Sequence, residues 1–253
     1  PPLSQRHAMP APAPIKILGI PVHPVTYEST LDLFGEWIAS GQPHQVCTTN
    51  PEFVMQALRQ PNFAAVLRSA ALCLPDGVGL LWAGRRIGQP LPERVAGSSM
   101  LYRLAERASQ HGWRIFLLGA AEGVAAQTAE RLTTLYPGVQ FVGTYAGSPA
   151  ESTHIVQLVR TAQPDILLVA FGAPKQDLWL AQYFFELQVP VMMGVGGSFD
   201  FVAGVTQRAP LWMQNLGLEW LHRLIRQPWR WRRMLDLPRF VMQVLLKQAS
   251  ATN

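Results

Sequence analysis

One carboxylate in this sequence stands where it could take part in chemistry. Asp76 comes directly after the apolar run 70–75 and is followed by Gly77. An aspartate at the end of a strand, flanked by apolar residues, can be partly desolvated and is then suited to act as a general base. Taken alone, an aspartate in this position is more often a turn or helix N-cap residue, so both interpretations stay open.

Four other segments have the same setting, because each is polar or rich in glycine and lies at the end of an apolar run. In open α/β sheets, ligands bind beyond the carboxyl ends of the strands, and glycines there let backbone N–H groups approach phosphate oxygens. Each loop alone is also typical of an ordinary βα turn. Together with Asp76 they predict one composite cleft. The segments are TTN (48–50), GAAEG (119–123), GAPKQ (172–176) and GVGGSFD (194–200).

Short apolar runs that alternate with amphipathic stretches predict the fold. Leu101, Leu104, Ala105 and Ala108 fall on one helical face, and Ile155, Leu158, Val159 and Ala162 repeat that spacing in 151–162. Strands that alternate with helices predict an α/β fold with a doubly wound, mostly parallel, Rossmann-like sheet. The predicted strands are IKILGIPV (15–22), QVCTT (45–49), AALCL (70–74), RIFLLG (114–119), VQFVGTY (139–145), DILLVAF (165–171) and VPVMMGV (189–195).

Composition divides the chain of 253 residues into three parts. Residues 1–14 hold five prolines and predict a disordered leader, and residues 15–205 form the predicted catalytic domain. Residues 206–253 predict a basic, Trp-rich helical appendage, and a chain truncated near residue 208 is expected to keep a folded α/β domain. No apolar run reaches the roughly 18–20 residues that span a bilayer, and no signal peptide is visible. The two cysteines, Cys47 and Cys73, are expected to be buried thiols in a reducing cytoplasm.

The appendage concentrates the positive charge of a chain whose net charge is +5. Between Arg208 and Arg239 there are seven arginines and two acids, which suggests phosphates, nucleic acid or an anionic membrane as a partner. Arginine with interleaved tryptophan suits a membrane interface, so Trp229 and Trp231 are predicted to contact the membrane. On a helix, one face would carry Arg223, Arg226, Arg230 and Arg233, with Pro228 interrupting it.

Several classes of function find no support. The sequence has no Asp-x-Asp pair and no His, Cys or carboxylate cluster with metal-ligand spacing, so neither a metal nor a cofactor is predicted. A serine hydrolase is not supported, because no Gly-x-Ser-x-Gly segment occurs. A nicotinamide dehydrogenase is disfavoured, because GVGGSFD lacks the third glycine of the dinucleotide motif and a helix start after it.

Seven segments in order give the chain a resemblance that covers about residues 15 to 240. The chain resembles the WecG/TagA/CpsF family of bacterial glycosyltransferases (glycosyltransferase family 26). Some segments are weak individually, but the ordered set is highly specific. They are TTNPEFV, PDGVGLLWAGRRIG, ERVAGSSM, FLLGAAEGVA, DILLVAFGAPKQDLWL, GVGGSFDFVAG and QRAPLWMQNLGLEWLHRLIRQPWRWRR.

The resemblance implies an inverting, metal-independent enzyme at the cytoplasmic face of the plasma membrane. Such enzymes move a sugar (N-acetylmannosamine, its uronic acid or glucose) from a UDP-sugar to a saccharide linked through diphosphate to undecaprenol. The implied catalytic residues are Asp76 as the base, Thr48 and Asn50 of a Thr-x-Asn motif, and Gln176 of a Pro-Lys-Gln motif. Asp177 follows Gln176 where many relatives have Glu, a conservative departure, and Thr49 is not expected to be functional.

The remaining assignments concern the two ligands. The nucleotide-sugar is expected to bind at Gly119, Gly172, Lys175, Gly196, Gly197 and Asp200. The family's appendage arginines correspond to Arg223, Arg230 and Arg233 and are expected to cover the diphosphates. Some relatives look like oligomers when the appendage is missing, so a second copy of the chain is a candidate partner, although the sequence does not fix the oligomeric state.

Two other classes of function are alternatives. Basic and aromatic residues also interleave in nucleic-acid-binding proteins, although no nucleic-acid partner is predicted here. A non-catalytic protein at the membrane surface would share the basic appendage, but Asp76, Gln176 and the arginines are intact. The sequence does not name the donor sugar, the acceptor saccharide or the pathway.

Overall fold

A computed structural model of the protein describes residues 11–210, 212–213, 218–226, 228 and 231–249, without the side chains of 223, 232, 233, 248 and 249. Most of the predicted leader lies outside these residues. Its last four residues are described and contain no helix or strand. Ala11 is partly buried against the core, so the packed chain begins before residue 15.

The strands form one large sheet and one small hairpin. They are β1 (Ile15–Ile17), β2 (Ile20–Val22), β3 (His44–Thr49), β4 (Leu72–Pro75), β5 (Arg114–Gly119), β6 (Gln140–Tyr145), β7 (Ile166–Ala170) and β8 (Val191–Gly194). Six of them lie in the spatial order β4-β3-β8-β7-β5-β6, and every neighbouring pair is parallel. This confirms the predicted doubly wound α/β fold.

The prediction of a single strand over residues 15–22 is wrong. β1 and β2 are separate antiparallel strands, and the chain reverses between them at Leu18 and Gly19. Both turn residues have positive φ, of 50° and 84°, and glycine adopts this conformation without the steric cost that a side chain brings.

Helices cover both faces of the large sheet. They are α1 (Tyr27–Ser40), α2 (Pro51–Arg59), α3 (Pro61–Ser69), α4 (Val78–Arg86), α5 (Gly97–His111), α6 (Val124–Leu135), α7 (Ser152–Ala162), α8 (Lys175–Gln182), α9 (Phe184–Leu187), α10 (Ser198–Ala203), α11 (Glu219–Arg226), α12 (Trp231–Met234) and α13 (Asp236–Ala249). The predicted apolar face of α5 is buried in full, whereas α7 buries Val156 where Leu158 was expected. α10 begins directly after Gly197, so the expectation that no helix starts there is wrong.

Alternate residues of each strand enter opposite cores, as the pleat of a strand requires. Val46 faces the core shared with α1, α5, α6 and α10, whereas Cys47 faces the core shared with α2, α3 and α4. Cys47 lies in register with Cys73 on β4, and both thiols are fully buried, as predicted.

The C-terminal helices pack on this sheet domain. α13 places Phe240 and Val244 in the core with residues of α2, α3 and α4, and Arg59 donates to both oxygens of Asp236 at 2.7 Å. α11 spans Glu219–Arg226, and the residue between it and Pro228, where an interruption was predicted, lies outside the described residues. No helix among the described residues combines the length and the apolar composition needed to span a membrane.

Candidate active site

A cleft of about 310 Å³ lies at the carboxyl edge of the sheet, over the ends of β4, β3, β8 and β7. Four of the five predicted segments reach this cleft, because their strands are neighbours in the sheet. The predicted site residues that line it are Thr48, Asn50, Asp76, Gly172, Gln176, Gly196 and Gly197.

Asp76 lies at the floor of the cleft, half buried, at the end of β4. Its backbone N–H donates to the carbonyl of Thr49 at 2.7 Å, which fixes the residue against β3. Its Oδ2 accepts a hydrogen bond from the backbone N–H of Gly97 at 3.3 Å. Gly97 opens α5, so the positive end of that helix faces the carboxylate.

Two successive residues of β3 have opposite settings. Thr48 lines the cleft, and its hydroxyl donates to the carbonyl of Gly194 on β8 at 3.0 Å. The Thr49 side chain is fully buried, and its Oγ1 has no hydrogen-bond partner among the described residues. Of these two residues, only Thr48 therefore reaches the cleft, and its role in the site stays a prediction.

Asn50 has a structural role as well as a place in the cleft. Its side-chain Oδ1 caps α2 by accepting from the N–H of Phe53 at 3.0 Å, and Pro51 follows as the first helical residue. Because the oxygen is used in the cap, the amide nitrogen is the group that Asn50 can offer to a ligand.

Gln176 joins two loops of the cleft. Its Oε1 accepts from the N–H of Gly172 at 3.1 Å and from the N–H of Gly196 at 3.0 Å, and its side chain is almost fully buried. The expectation that these two glycines offer their N–H groups to a phosphate does not fit this geometry, because both already donate to Gln176. The contacts give Gln176 a positioning role.

The neighbouring carboxylate, Asp177, lies beneath the cleft. Its side chain is fully buried, and neither carboxylate oxygen has a hydrogen-bond partner among the described residues. Burial raises the pKa of Asp177 to about 7. Its backbone carbonyl accepts from the Gln45 side chain at 2.9 Å, so the residue connects α8 to β3.

Three predicted nucleotide-sugar residues are not among those that line the cleft: Gly119, Lys175 and Asp200. Gly119 ends β5, on the far side of β7, where its φ of 94° and the close approach of Phe171 leave little room for a side chain. Lys175 begins α8, and Asp200 lies in the first turn of α10.

The structure also brings in residues that the sequence did not single out. Arg94 and Ser98 line the cleft from the segment before α5 and from its first turn, and Glu219 and Trp220 line it from α11. Arg94 and Glu219 form an ion pair. Both residues belong to the segment ERVAGSSM. The signal that could have identified this segment as anion-binding is an arginine that comes just before the start of a helix.

The predicted appendage residues are only partly described. The side chain of Arg223 and all of Trp229 and Arg230 lie outside the described residues, as does the side chain of Arg233. Arg226 is exposed and donates to Gln207 at 2.8 Å. Trp231 is 52% exposed.

Comparison with known proteins places the chain in a family. The profile of the "Glycosyl transferase WecG/TagA/CpsF family" matches residues 15–253. The chain belongs to this glycosyltransferase family.

Members of the family with assigned functions are similar over most of their length. A protein of Bacillus spizizenii is 38% identical over 208 residues, which cover 82% of this chain and 81% of the relative. A Bacillus subtilis protein is 35% identical, with 80% and 79% covered, and a Staphylococcus aureus protein is 28% identical, with 92% of each covered. All three are named N-acetylglucosaminyldiphosphoundecaprenol N-acetyl-beta-D-mannosaminyltransferase.

Membership favours an enzyme over the two alternatives of a nucleic-acid-binding protein and a non-catalytic membrane protein. The residue types in the cleft fit this choice, since a carboxylate, an amide and an arginine converge there. Within the part of the chain that the structure describes, no group of three His, Cys, Asp or Glu side chains is placed to hold a metal ion.

Proposed function

We propose that the protein is an inverting glycosyltransferase that uses a UDP-sugar as donor and an undecaprenyl-diphosphate-linked saccharide as acceptor. The observation that carries this proposal is the position of Asp76 at the floor of the cleft, beside Thr48 and the N-terminus of α5. The names of the relatives favour an N-acetylmannosaminyl group as the sugar transferred and an N-acetylglucosaminyl-diphospholipid as the acceptor. A glucosyl donor is the second candidate.

The reaction is a single displacement at the anomeric carbon. A carboxylate oxygen of Asp76 takes the proton of the acceptor hydroxyl, and the hydroxyl oxygen forms a bond to the anomeric carbon. The bond between that carbon and the β-phosphate oxygen breaks on the opposite face, and its electron pair leaves with UDP. One displacement inverts the configuration at the anomeric carbon.

The leaving diphosphate needs positive charge beside it. Arg94 lines the cleft, and a guanidinium group can pair with two phosphate oxygens at once. We assign the same work to Arg223, Arg230 and Arg233, which follow Glu219 and Trp220 of the cleft along the chain. With these cations the reaction would not require a metal ion, and no cofactor takes part. Gly119, Lys175 and Asp200 stay candidates for binding the nucleotide.

The acceptor lipid calls for a surface that meets the membrane. α13 buries Phe240 and Val244 against the sheet domain and exposes Val241, Met242, Leu245 and Leu246 on its other side. Trp231 and Leu235 are also exposed and precede this face in the chain. Such an apolar helical face, with Arg239 and Lys247 beside it, suits the surface of an anionic bilayer. We therefore place the protein at the inner face of the plasma membrane as a peripheral protein.

A donor screen tests this function. The purified full-length protein is incubated with a short-chain lipid-diphosphate N-acetylglucosamine and, in turn, with UDP-N-acetylmannosamine, UDP-glucose and UDP-N-acetylglucosamine. UDP release should require both substrates, and the new glycosidic bond should have the opposite anomeric configuration to the donor by NMR. Retention of configuration, or no UDP release with any donor, would contradict the proposal.

A further inference from the structure

Helix α11 enters the cleft with a carboxylate in its first turn. Glu219 accepts hydrogen bonds from two arginines: Arg94 pairs with Oε2, and Nε of Arg208 donates to Oε1 at 3.2 Å. All three side chains are largely removed from solvent, with 18% of Arg94, 26% of Arg208 and 27% of Glu219 exposed. Arg208 also donates to the Ser99 hydroxyl at 3.0 Å, in the first turn of α5.

The three side chains of this cluster together carry one net positive charge. Two guanidinium groups converge on one carboxylate, next to the helix N-terminus that also faces Asp76. Although the carboxylates of Asp76 and Glu52 also line the cleft, two guanidinium groups can pair with more oxygens than the single Glu219 carboxylate supplies. A diphosphate has several oxygens that a guanidinium fork can pair with.

We infer that the Glu219 carboxylate occupies a diphosphate subsite at Arg94, which lines the cleft, and that the substrate diphosphate displaces it. This inference rests on the proposed function, because the diphosphate is that of the donor. In the absence of substrate, Glu219 keeps two like charges together and holds α11 over the cleft. When the donor binds, its phosphate oxygens take over the Arg94 guanidinium group.

Displacement has a measurable cost in affinity. When a ligand must displace an internal group, its apparent dissociation constant is the intrinsic one divided by the fraction of molecules in which the site is open. Removing the competing charge should therefore strengthen the binding of a diphosphate. A Glu219 whose sole role is to orient Arg94 would give the opposite result, since its loss would leave that arginine less well placed.

Glu219→Gln is the direct test, because the substitution removes the charge and keeps the shape. UDP and inorganic pyrophosphate are each titrated by calorimetry against the full-length wild-type protein and the variant. We expect both ligands to bind about twofold to fivefold more tightly to the variant, as for loss of a partly exposed ion pair. Glu219→Asp keeps the charge but shortens its reach, and the gain in affinity should be smaller.

Glu52→Gln is the matched control, because Glu52 is another carboxylate that lines the cleft. If Glu52→Gln strengthens binding as much as Glu219→Gln, the effect comes from the general field of the cleft and the inference is wrong. Unchanged or weaker binding to Glu219→Gln also overturns it. Tighter binding of pyrophosphate to Glu219→Gln would support the subsite. If the protein also bound UDP no better than other diphosphates, the subsite would stand but UDP would be removed from the proposed function.

Discussion

The N–H of Gly97 donates to Oδ2 of Asp76 at 3.3 Å, and this hydrogen bond connects the start of α5 to the carboxylate at the end of β4. It fixes the direction of the carboxylate and places a helix N-terminus beside the reacting groups. A methyl group at Gly97 would lie 3.4 Å from Thr48 and Ser198 and 3.9 Å from Asp76, so these four residues meet at one point of the cleft floor.

Asp76→Asn should abolish most of the transfer without loss of the fold. Asparagine has the same shape but takes no proton, and a general base contributes about 10²–10⁴-fold to a rate. We expect kcat to fall by that factor while UDP binding by calorimetry is retained. Asp32→Asn is the control, because Asp32 is an exposed aspartate of α1 that pairs with Arg107 of α5 and does not line the cleft. Turnover near the wild-type value in Asp76→Asn would remove this residue from the mechanism.

Gln176 should act by positioning the two glycine loops. Gln176→Leu removes the acceptor shared by the N–H groups of Gly172 and Gly196, and an unpaired buried N–H costs about 1–3 kcal/mol. Both glycines are half buried, so water can reach these groups in part and the loss of stability should lie at the low end of that range.

The conservative variant separates positioning from chemistry. Gln176→Glu keeps an oxygen acceptor and should recover the affinity for UDP that Gln176→Leu loses, but not the stability, because it buries a second carboxyl beside Asp177. Thermal unfolding and the apparent KM for the donor measure the two quantities. A loss confined to kcat in Gln176→Leu, with stability and KM unchanged, would speak for direct participation of the amide.

The architecture of the sheet followed from the sequence because buried parallel strands are continuous apolar runs. Six of the predicted strands occur within one or two residues of their expected positions. The seventh is a hairpin of two strands. Its turn at Leu18 and Gly19 lies within a mostly apolar run, so hydropathy alone did not reveal it.

The site was predictable where it depends on strand ends and not where it depends on distant chain segments. Thr48 lies near the end of β3, and Asn50 and Asp76 directly follow the neighbouring strands β3 and β4, so their convergence is a consequence of topology. Glu219 contacts Arg94 although 125 residues separate them in the sequence, and no local spacing of residues predicts such a contact. The engagement of the Gly172 and Gly196 amides by Gln176 likewise depends on how α8 packs under the loops.

Asp177 should make the free energy of unfolding depend on pH. Its pKa is about 7 in the folded protein and about 3.9 in an unfolded chain, so between these values only the folded state keeps the proton. Stability contributed by the neutral carboxyl is therefore complete below about pH 4 and is lost as the pH rises to about 7, by up to about 1.4 kcal/mol per pH unit.

Asp177→Asn cannot ionise and should remove this dependence. The difference in free energy of unfolding between variant and wild type, from urea denaturation at several pH values, should grow in favour of the variant from pH 4 to pH 7. Asp32→Asn, at an exposed site, should leave the slope as in the wild type. A constant difference across this pH range would mean that Asp177 is ionised in the folded protein.

α13 should contribute to the stability of the sheet domain, and this changes the expectation for a truncated chain. Phe240 is 1% exposed and packs in the same core as Phe53 and Leu80, so Phe240→Ala should cost about 3–5 kcal/mol. Met242→Ala, on the exposed side of the same helix, should change stability by less than about 0.5 kcal/mol. A chain that ends near residue 208 should then unfold at lower denaturant concentration than the full chain. Equal midpoints would show that the appendage is energetically separate.

The exposed face of α13 should bind the membrane without taking part in the chemistry. Met242 is 61% exposed and Leu246 is 59% exposed, and transfer of such a side chain from water to an apolar surrounding is worth about 1.5–3 kcal/mol. Met242→Asp replaces that gain with the cost of a charge, so co-sedimentation with vesicles containing anionic lipid should fall at least about tenfold. Trp231→Ala should act in the same direction.

Leu135→Asp is the control, because Leu135 is 57% exposed on α6, which packs on the other face of the sheet. Both membrane variants should keep the wild-type rate with a short-chain acceptor, where no bilayer is needed. If Met242→Asp bound vesicles as the wild type does, or if Leu135→Asp weakened binding equally, the membrane would meet another surface of the protein.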